Sequence, residues 1–189
     1  MEAFLVSTGI VALAEMGDKT QLLSLLLAAK FRRPLPIILA ILTATLLNHG
    51  LAGALGNWIT ALVGKDALRW ALGLSFLAMA GWTLIPDKLD DVDARPARFG
   101  VFGTTLIAFF LAEMGDKTQV ATIALAAKYS AFYAVVAGTT LGMMIANVPA
   151  VLLGSRITQA VSLKLVHMIA ALIFAVLGVL TLLDVGHLM

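Results

Sequence analysis

Four acids and two lysines set in apolar surroundings are the residues of this chain best placed to do chemistry. Glu15, Asp18 and Lys19 belong to the string Glu15-Met16-Gly17-Asp18-Lys19-Thr20-Gln21. An unchanged copy, Glu113-Met114-Gly115-Asp116-Lys117-Thr118-Gln119, follows 98 positions later. Each string interrupts a hydrophobic run long enough to cross a bilayer as a helix. Glu15 stands 11 residues from Phe4 and 14 from Ala29, so at about 1.5 Å per residue it falls near the midplane. Ionisable groups at that depth are expensive, so they face a protein interior and mark transport pathways. On one continuous helix, about 100° per residue puts Glu15, Asp18 and Lys19 on a single face, and Glu113, Asp116 and Lys117 likewise. If the two faces meet, four carboxylates and two ammoniums leave a formal charge of −2. That charge suits one divalent cation or two protons.

The neighbours bear on how such a site would work. Lys19 and Lys117 read as tethered counter-ions that hold the carboxylates when no metal is bound. The plainer alternative pairs Glu15 with Lys19 at i and i+4 along one helix, but it leaves Asp18 and Asp116 unexplained. Gly17 and Gly115 serve either close helix packing or a hinge at which the helix loosens and frees backbone carbonyls. Thr20, Gln21, Thr118 and Gln119 offer neutral oxygens to an ion or to adjoining helices. Asn48, and Asn147 two residues before Pro149, either line the cavity or bond helix to helix; Pro149 also leaves the Ile145 carbonyl without its N–H partner. His49, with no histidine to match it in the other copy, reads as a packed and satisfied residue. Met16 and Met114 point about 100° away from the glutamates on an ideal helix.

The elements that must position these residues follow from composition. Of 189 residues, 61% are hydrophobic and 13% charged, and mean hydropathy is +1.00. A soluble domain carries about 25% charged residues, so this is the composition of an all-α polytopic membrane protein. There is no cysteine, which excludes disulfides, thiolate metal sites and cysteine nucleophiles. A net charge of +2 gives no case for nucleic acid, and the basic residues fall at helix ends where they would meet lipid headgroups. The start, Met1-Glu2-Ala3, lacks the basic region of a cleaved signal peptide, so the first run is expected to stay as a span.

Six apolar runs follow: Phe4 to Ala29, Leu35 to Val63, Ala67 to Ile85, Val101 to Ala127, Ala131 to Gly154 and Leu165 to Leu183. The repeat extends past the motif at the same offset. Ala28-Ala29-Lys30 matches Ala126-Ala127-Lys128, Ile59-Thr60 matches Ile157-Thr158, and Phe76 matches Phe174. The expected organisation is therefore a three-helix repeat over 1–86, a cytoplasmic linker over 87–98 and a second three-helix repeat over 99–189. Three spans per half send the second half in from the opposite side, giving an inverted repeat about an axis in the membrane plane. The third and sixth runs, nearly free of polar residues, read as lipid-facing supports. Asp87, Asp90, Asp91 and Asp93 lack the glycine and terminal glutamate of a calcium loop and read as solvated linker. Lys30, Arg32, Arg33, Lys88, Arg95, Arg98, Arg156 and Lys164 lie on one side, against Lys65, Arg69 and Lys128 on the other. By the positive-inside bias the first side is cytoplasmic and both termini are outside.

The string glutamate, any residue, glycine, aspartate, lysine, threonine, present in both halves, closely resembles the motif of the calcium/manganese cation–proton antiporters of the Golgi, thylakoids and bacterial inner membranes. Glu15, Gly17, Asp18, Lys19 and Thr20 match it, as do Glu113, Gly115, Asp116, Lys117 and Thr118. The short form resembles bacterial manganese exporters. The resemblance covers essentially the whole chain and implies transport of a divalent cation, with Glu15, Asp18, Glu113 and Asp116 as its site, in a bacterial plasma membrane. An all-oxygen site without thiolate suits Mn²⁺ or Ca²⁺, and Mg²⁺ less because it dehydrates reluctantly. Crowded carboxylates in low dielectric disfavour the fully ionised empty state, so metal and protons would compete for the same oxygens, without a separate proton site or permanent cofactor. The rival readings are an exporter of small basic organic solutes such as amino acids, a passive cation channel and a non-transporting assembly protein. An enzyme is disfavoured, since no nucleophile–base pair lies at mid-depth.

Overall fold

A computed structural model describes residues 1–85, 99–153 and 163–184. All elements among the described residues are helical: α1 (Glu2–Glu15), α2 (Lys19–Phe31), α3 (Pro34–Leu62), α4 (Lys65–Thr83), α5 (Gly100–Glu113), α6 (Lys117–Tyr129), α7 (Phe132–Leu153) and α8 (Leu163–Leu182). The ends of the six apolar runs agree with these helix ends to within two residues. The difference lies inside the first and fourth runs. Each is two half-helices of 14 and 13 residues, and the repeated motif sits at the interruption. Among the described residues three helical segments are by themselves long and apolar enough to cross a membrane: Pro34–Leu62, Phe132–Leu153 and Lys164–Leu182. The linker 87–98, with its aspartates and basic residues, and Arg156 to Thr158 lie outside the described residues.

The halves interleave. α1 packs on α7 and its counterpart α5 on α3; α2 also meets α7, and α6 meets α3. Small residues let these backbones approach. A Cβ at Gly138 or Gly142 of α7 would collide with backbone atoms of α1, at 2.5 Å from the Phe4 carbonyl oxygen and 2.6 Å from that of Thr8. Gly56 of α3 sits as tightly on the Ile123 carbonyl of α6. Without water to drive association, such close backbone contact is what holds helices together in lipid.

α4 and α8 pair with each other, Gly73 and Gly178 facing across the contact. Phe76 and Phe174, matched in the sequence repeat, meet there as a stacked pair with centroids 6.4 Å apart. Trp70 and Leu74 of α4, and Leu172 and Val176 of α8, are left exposed on their outer faces. This agrees with a supporting role against lipid.

Candidate functional site

Two matching turns build the site. In Glu15-Met16-Gly17-Asp18 the Asp18 N–H donates to the Glu15 carbonyl at 3.1 Å, with Met16 at φ −64°, ψ 116° and Gly17 at φ 82°. Glu113-Met114-Gly115-Asp116 repeats it: 3.1 Å, φ −65°, ψ 120° and Gly115 at φ 76°. This is a type II turn, whose third position needs positive φ and therefore favours glycine. A Cβ on Gly115 would meet nothing within 4 Å, so the residue is required for its backbone angle and not for packing. Of the two roles read from the sequence, the break in the helix is the one observed at Gly115.

The break corrects the single-face geometry expected from a continuous helix. Asp18 and Asp116 are N-caps of new helices, α2 and α6, and not the next turn of α1 and α5. Each aspartate therefore sits at the positive end of a helix dipole, which favours a carboxylate. The break also releases backbone groups, and side chains take them up. The Gly17 N–H donates to Gln21 Oε1 at 2.9 Å, and the Gly115 N–H to Gln119 Oε1 at 2.8 Å. Asn48 Nδ2 donates to the Phe110 carbonyl of α5 at 3.1 Å, and His167 Nε2 of α8 reaches the Met16 carbonyl at 2.7 Å.

The acids converge. Glu15, Asp18 and Asp116 are buried, and one carboxylate oxygen from each lies within 4.8 Å of the others. Ligands on opposite sides of a calcium-sized ion stand about 4.6–5.2 Å apart at most, so three such oxygens can share one divalent cation. Glu113, equally buried, is not part of this trio; its Oε2 lies 3.9 Å from His49 Nε2. Neither Glu113 oxygen accepts a well-formed hydrogen bond, and neither does Glu15 Oε1, whereas Glu15 Oε2 accepts the Thr20 hydroxyl at 2.5 Å.

The lysines cross between halves. Lys19 Nζ stands 2.7 Å from Asp116 Oδ1, and Lys117 Nζ 2.6 Å from Asp18 Oδ1. The alternative in which Lys19 neutralises Glu15 along its own helix is thereby set aside, because Lys19 is directed to the other motif. Each ammonium is thus paired with the aspartate of the other motif. Lys117 is buried completely, while the Lys19 side chain keeps 27% of its surface.

The other residues read from the sequence divide into two groups. Gln21 ties its own turn to α7: Oε1 accepts the Gly17 N–H and Nε2 donates to the Ala146 carbonyl of α7 at 2.8 Å. Asn147 Oδ1 accepts the Ser24 hydroxyl at 2.7 Å, and its Nδ2 bonds back to the Met143 carbonyl at 3.1 Å. Thr118 donates its hydroxyl to Asp116 Oδ2 at 3.2 Å. Thr118 thus bonds directly to an acid, whereas Gln21 and Asn147 tie α2 to α7. Met114 is exposed, in keeping with its expected direction away from the acids.

Two histidines were misjudged or missed. His49 is buried but not satisfied: neither ring nitrogen makes a hydrogen bond, and the ring faces Glu113. A signal existed, because at the constant offset of 98 His49 aligns with Asn147. His167 carries no such mark, since its partner is a carbonyl freed only by the break.

A family model described as "Divalent cation/proton antiporter GDT1" matches residues 3–91 and 101–187. A candidate manganese exporter of Vibrio cholerae is 50% identical over 182 residues, covering 96% of this chain and 90% of the relative. A GDT1-like protein of Synechocystis is 28% identical, covering 96% of this chain and 97% of the relative. The divalent cation/proton antiporter GDT1 of Saccharomyces cerevisiae is 23% identical, covering 95% and 83%. No solved structure matches the chain.

Proposed function

The chain belongs to the GDT1 family of divalent cation/proton antiporters, a membrane transporter and not an enzyme, and on that premise we propose that it exchanges Mn²⁺ for protons. Mn²⁺ is preferred to Ca²⁺ because the relative of 50% identity is described as a manganese exporter. The ion binds between the two EMGDKTQ motifs, on Glu15, Asp18 and Asp116, with Glu113 joining when the halves move. The observation that carries this reading is the crossed clamp, Lys19 to Asp116 and Lys117 to Asp18, around three oxygens spaced for one ion. Each ammonium lies within ion-pair distance of an aspartate of that trio, so a cation entering the site competes with both lysines.

Ion entry then has a definite meaning for these residues. A divalent ion competes with the ammoniums and with protons for the same carboxylate oxygens, so binding displaces both. Gly17 and Gly115 are the hinges at which each half-helix turns. The chain forms six spans, with α1 and α2 together as one and α5 and α6 as another. The halves, 1–86 and 99–189, are related as inverted repeats joined by a cytoplasmic linker, with both termini outside the plasma membrane. The swapped packing of α1 on α7 and α5 on α3, and the meeting of Phe76 with Phe174, support that relation. Rocking of one half against the other exposes the site to each side in turn.

Reconstitution into sealed liposomes with an imposed pH gradient tests the proposal. Gradient-driven Mn²⁺ uptake is expected from the wild type and not from Glu113→Gln, which should still fold. Absence of any gradient-driven Mn²⁺ or Ca²⁺ flux in correctly inserted protein would sink antiport. Lysine flux in its place would favour the organic-solute reading.

A further inference from the structure

The repeat matches Lys30 with Lys128, but the structure uses them differently. Lys30 ends α2 on the exposed surface, its ammonium 5.5 Å from the Phe31 ring. Lys128, at the end of α6, is 5% exposed, because α4 packs over α6 and α8 packs on α4. Its ammonium receives one hydroxyl contact, donating to Thr181 of α8 at 2.9 Å, and lies 5.8 Å from the Phe76 ring and 5.9 Å from that of Tyr129. No carboxylate among the described residues pairs with it. The Glu2 carboxylate, which accepts the Tyr129 hydroxyl at 3.3 Å, acts on Lys128 only through space. A buried ammonium with one neutral acceptor and two ring faces is incompletely compensated, and an anion brought to it would relieve that cost.

There is room for one. Lys128 lines a cavity of about 220 Å³ where the end of α3, the start of α4 and the end of α6 converge. Its wall carries a second cation, Lys65, two hydroxyl residues, Thr60 and Ser130, and the apolar side chains of Val63 and Leu68. Lys65 opens α4, whose positive end favours an anion, while the C-terminal ends of α3 and α6 oppose it, so the two lysines carry the attraction. Two cations and the Ser130 hydroxyl beside an apolar wall suit a phosphate group whose remainder is hydrophobic or absent; the Thr60 hydroxyl is already donated to the carbonyls of Gly56 and Ala127.

We propose that this cavity is a phosphate-binding site, with Lys128 and Lys65 as its cations, occupied by the headgroup of an anionic lipid or by free phosphate. The site is separate from the paired helix breaks and does not depend on which ion the protein carries. The test measures thermal stability of the purified full chain in detergent while adding, in separate arms, phosphatidylglycerol, phosphatidylcholine and inorganic phosphate. Stabilisation by phosphatidylglycerol above phosphatidylcholine supports the lipid source; stabilisation by inorganic phosphate supports the free anion. Either effect should weaken with added salt. It should require about tenfold more ligand in Lys65→Gln, equivalent to about 1.4 kcal/mol, and be lost in Lys128→Met. Lys65 is exposed, so Lys65→Gln keeps the test decisive if Lys128→Met does not fold. Equal ligand response in wild type and Lys65→Gln, or no response in any arm, would overturn the assignment.

Discussion

Replacing Lys117 by Met should destabilise the protein more than replacing Lys19 by Met, although the two occupy matching places in the repeat. Lys117 Nζ lies 2.6 Å from Asp18 Oδ1, with side-chain exposures of 1% and 0%. At an effective dielectric of 20 their attraction is about 6 kcal/mol before desolvation is subtracted. Desolvating two ions offsets much of that, so the pair adds little net stability; removal of one partner leaves the other buried and uncompensated. The expected loss for Lys117→Met is about 3–5 kcal/mol. Lys19 keeps 27% of its side-chain surface, and Asp116 retains the Thr118 hydroxyl when Lys19 is gone. Asp116 is itself 3% exposed and is left buried, but the charged hydrogen bond it keeps offsets part of the cost, so the Lys19→Met loss is smaller, about 2 kcal/mol. Equilibrium unfolding in mixed micelles measures both. A double-mutant cycle with Asp18→Asn should assign coupling to Lys117 and Asp18, with Asp18→Asn/Lys117→Met recovering part of the single loss. Equal losses for the two lysines, or a stronger coupling of Glu15 to Lys19 than of Asp18 to Lys117, would refute the crossed clamp.

Three further outcomes follow from the same geometry. Gly115→Ala should cost about 1–2 kcal/mol because φ 76° strains any L side chain, although the added methyl has open space. Gly9→Ala, in the regular part of α1 and with nothing within 4 Å of its Cβ position, should be neutral or stabilising; equivalent changes in unfolding energy at the two positions would contradict the turn. Apparent Mn²⁺ affinity, measured by equilibrium binding, should fall as pH falls, since protons and metal compete for the same carboxylates; pH-independent affinity would separate the proton from the ion site. His49→Phe should impair Mn²⁺ flux with little loss of stability, since the ring makes no hydrogen bond that its removal would orphan; flux equal to wild type would return His49 to a packing role.

The apolar runs, their ends and the doubled motif were readable along the chain because each rests on local properties. Hydropathy sets where a helix can lie in lipid, and Lys30 through Pro34 or Gly64-Lys65-Asp66 mark where it stops. The glycine in E-M-G-D was compatible with a break, since it suits the third place of a type II turn, but equally with close helix packing. What local reading of a continuous helix could not supply is the direction of a side chain after the turn. A type II turn replaces the helical step of about 100° by a break whose exit depends on how α2 packs on α7 and α6 on α3.

The sequence by itself therefore singled out the doubled acids, Glu15, Asp18, Glu113 and Asp116, with a lysine beside each aspartate, because a repeated polar string in apolar runs is a local property. The tertiary structure decided the pairing. Lys19 and Lys117 each reach the other motif, Glu113 stands apart from the trio beside His49, and Lys128 is buried where the matching Lys30 is exposed. Those differences arise because identical strings are placed in unlike surroundings. A repeat can copy residues, but their partners come from whichever helix packs across from them.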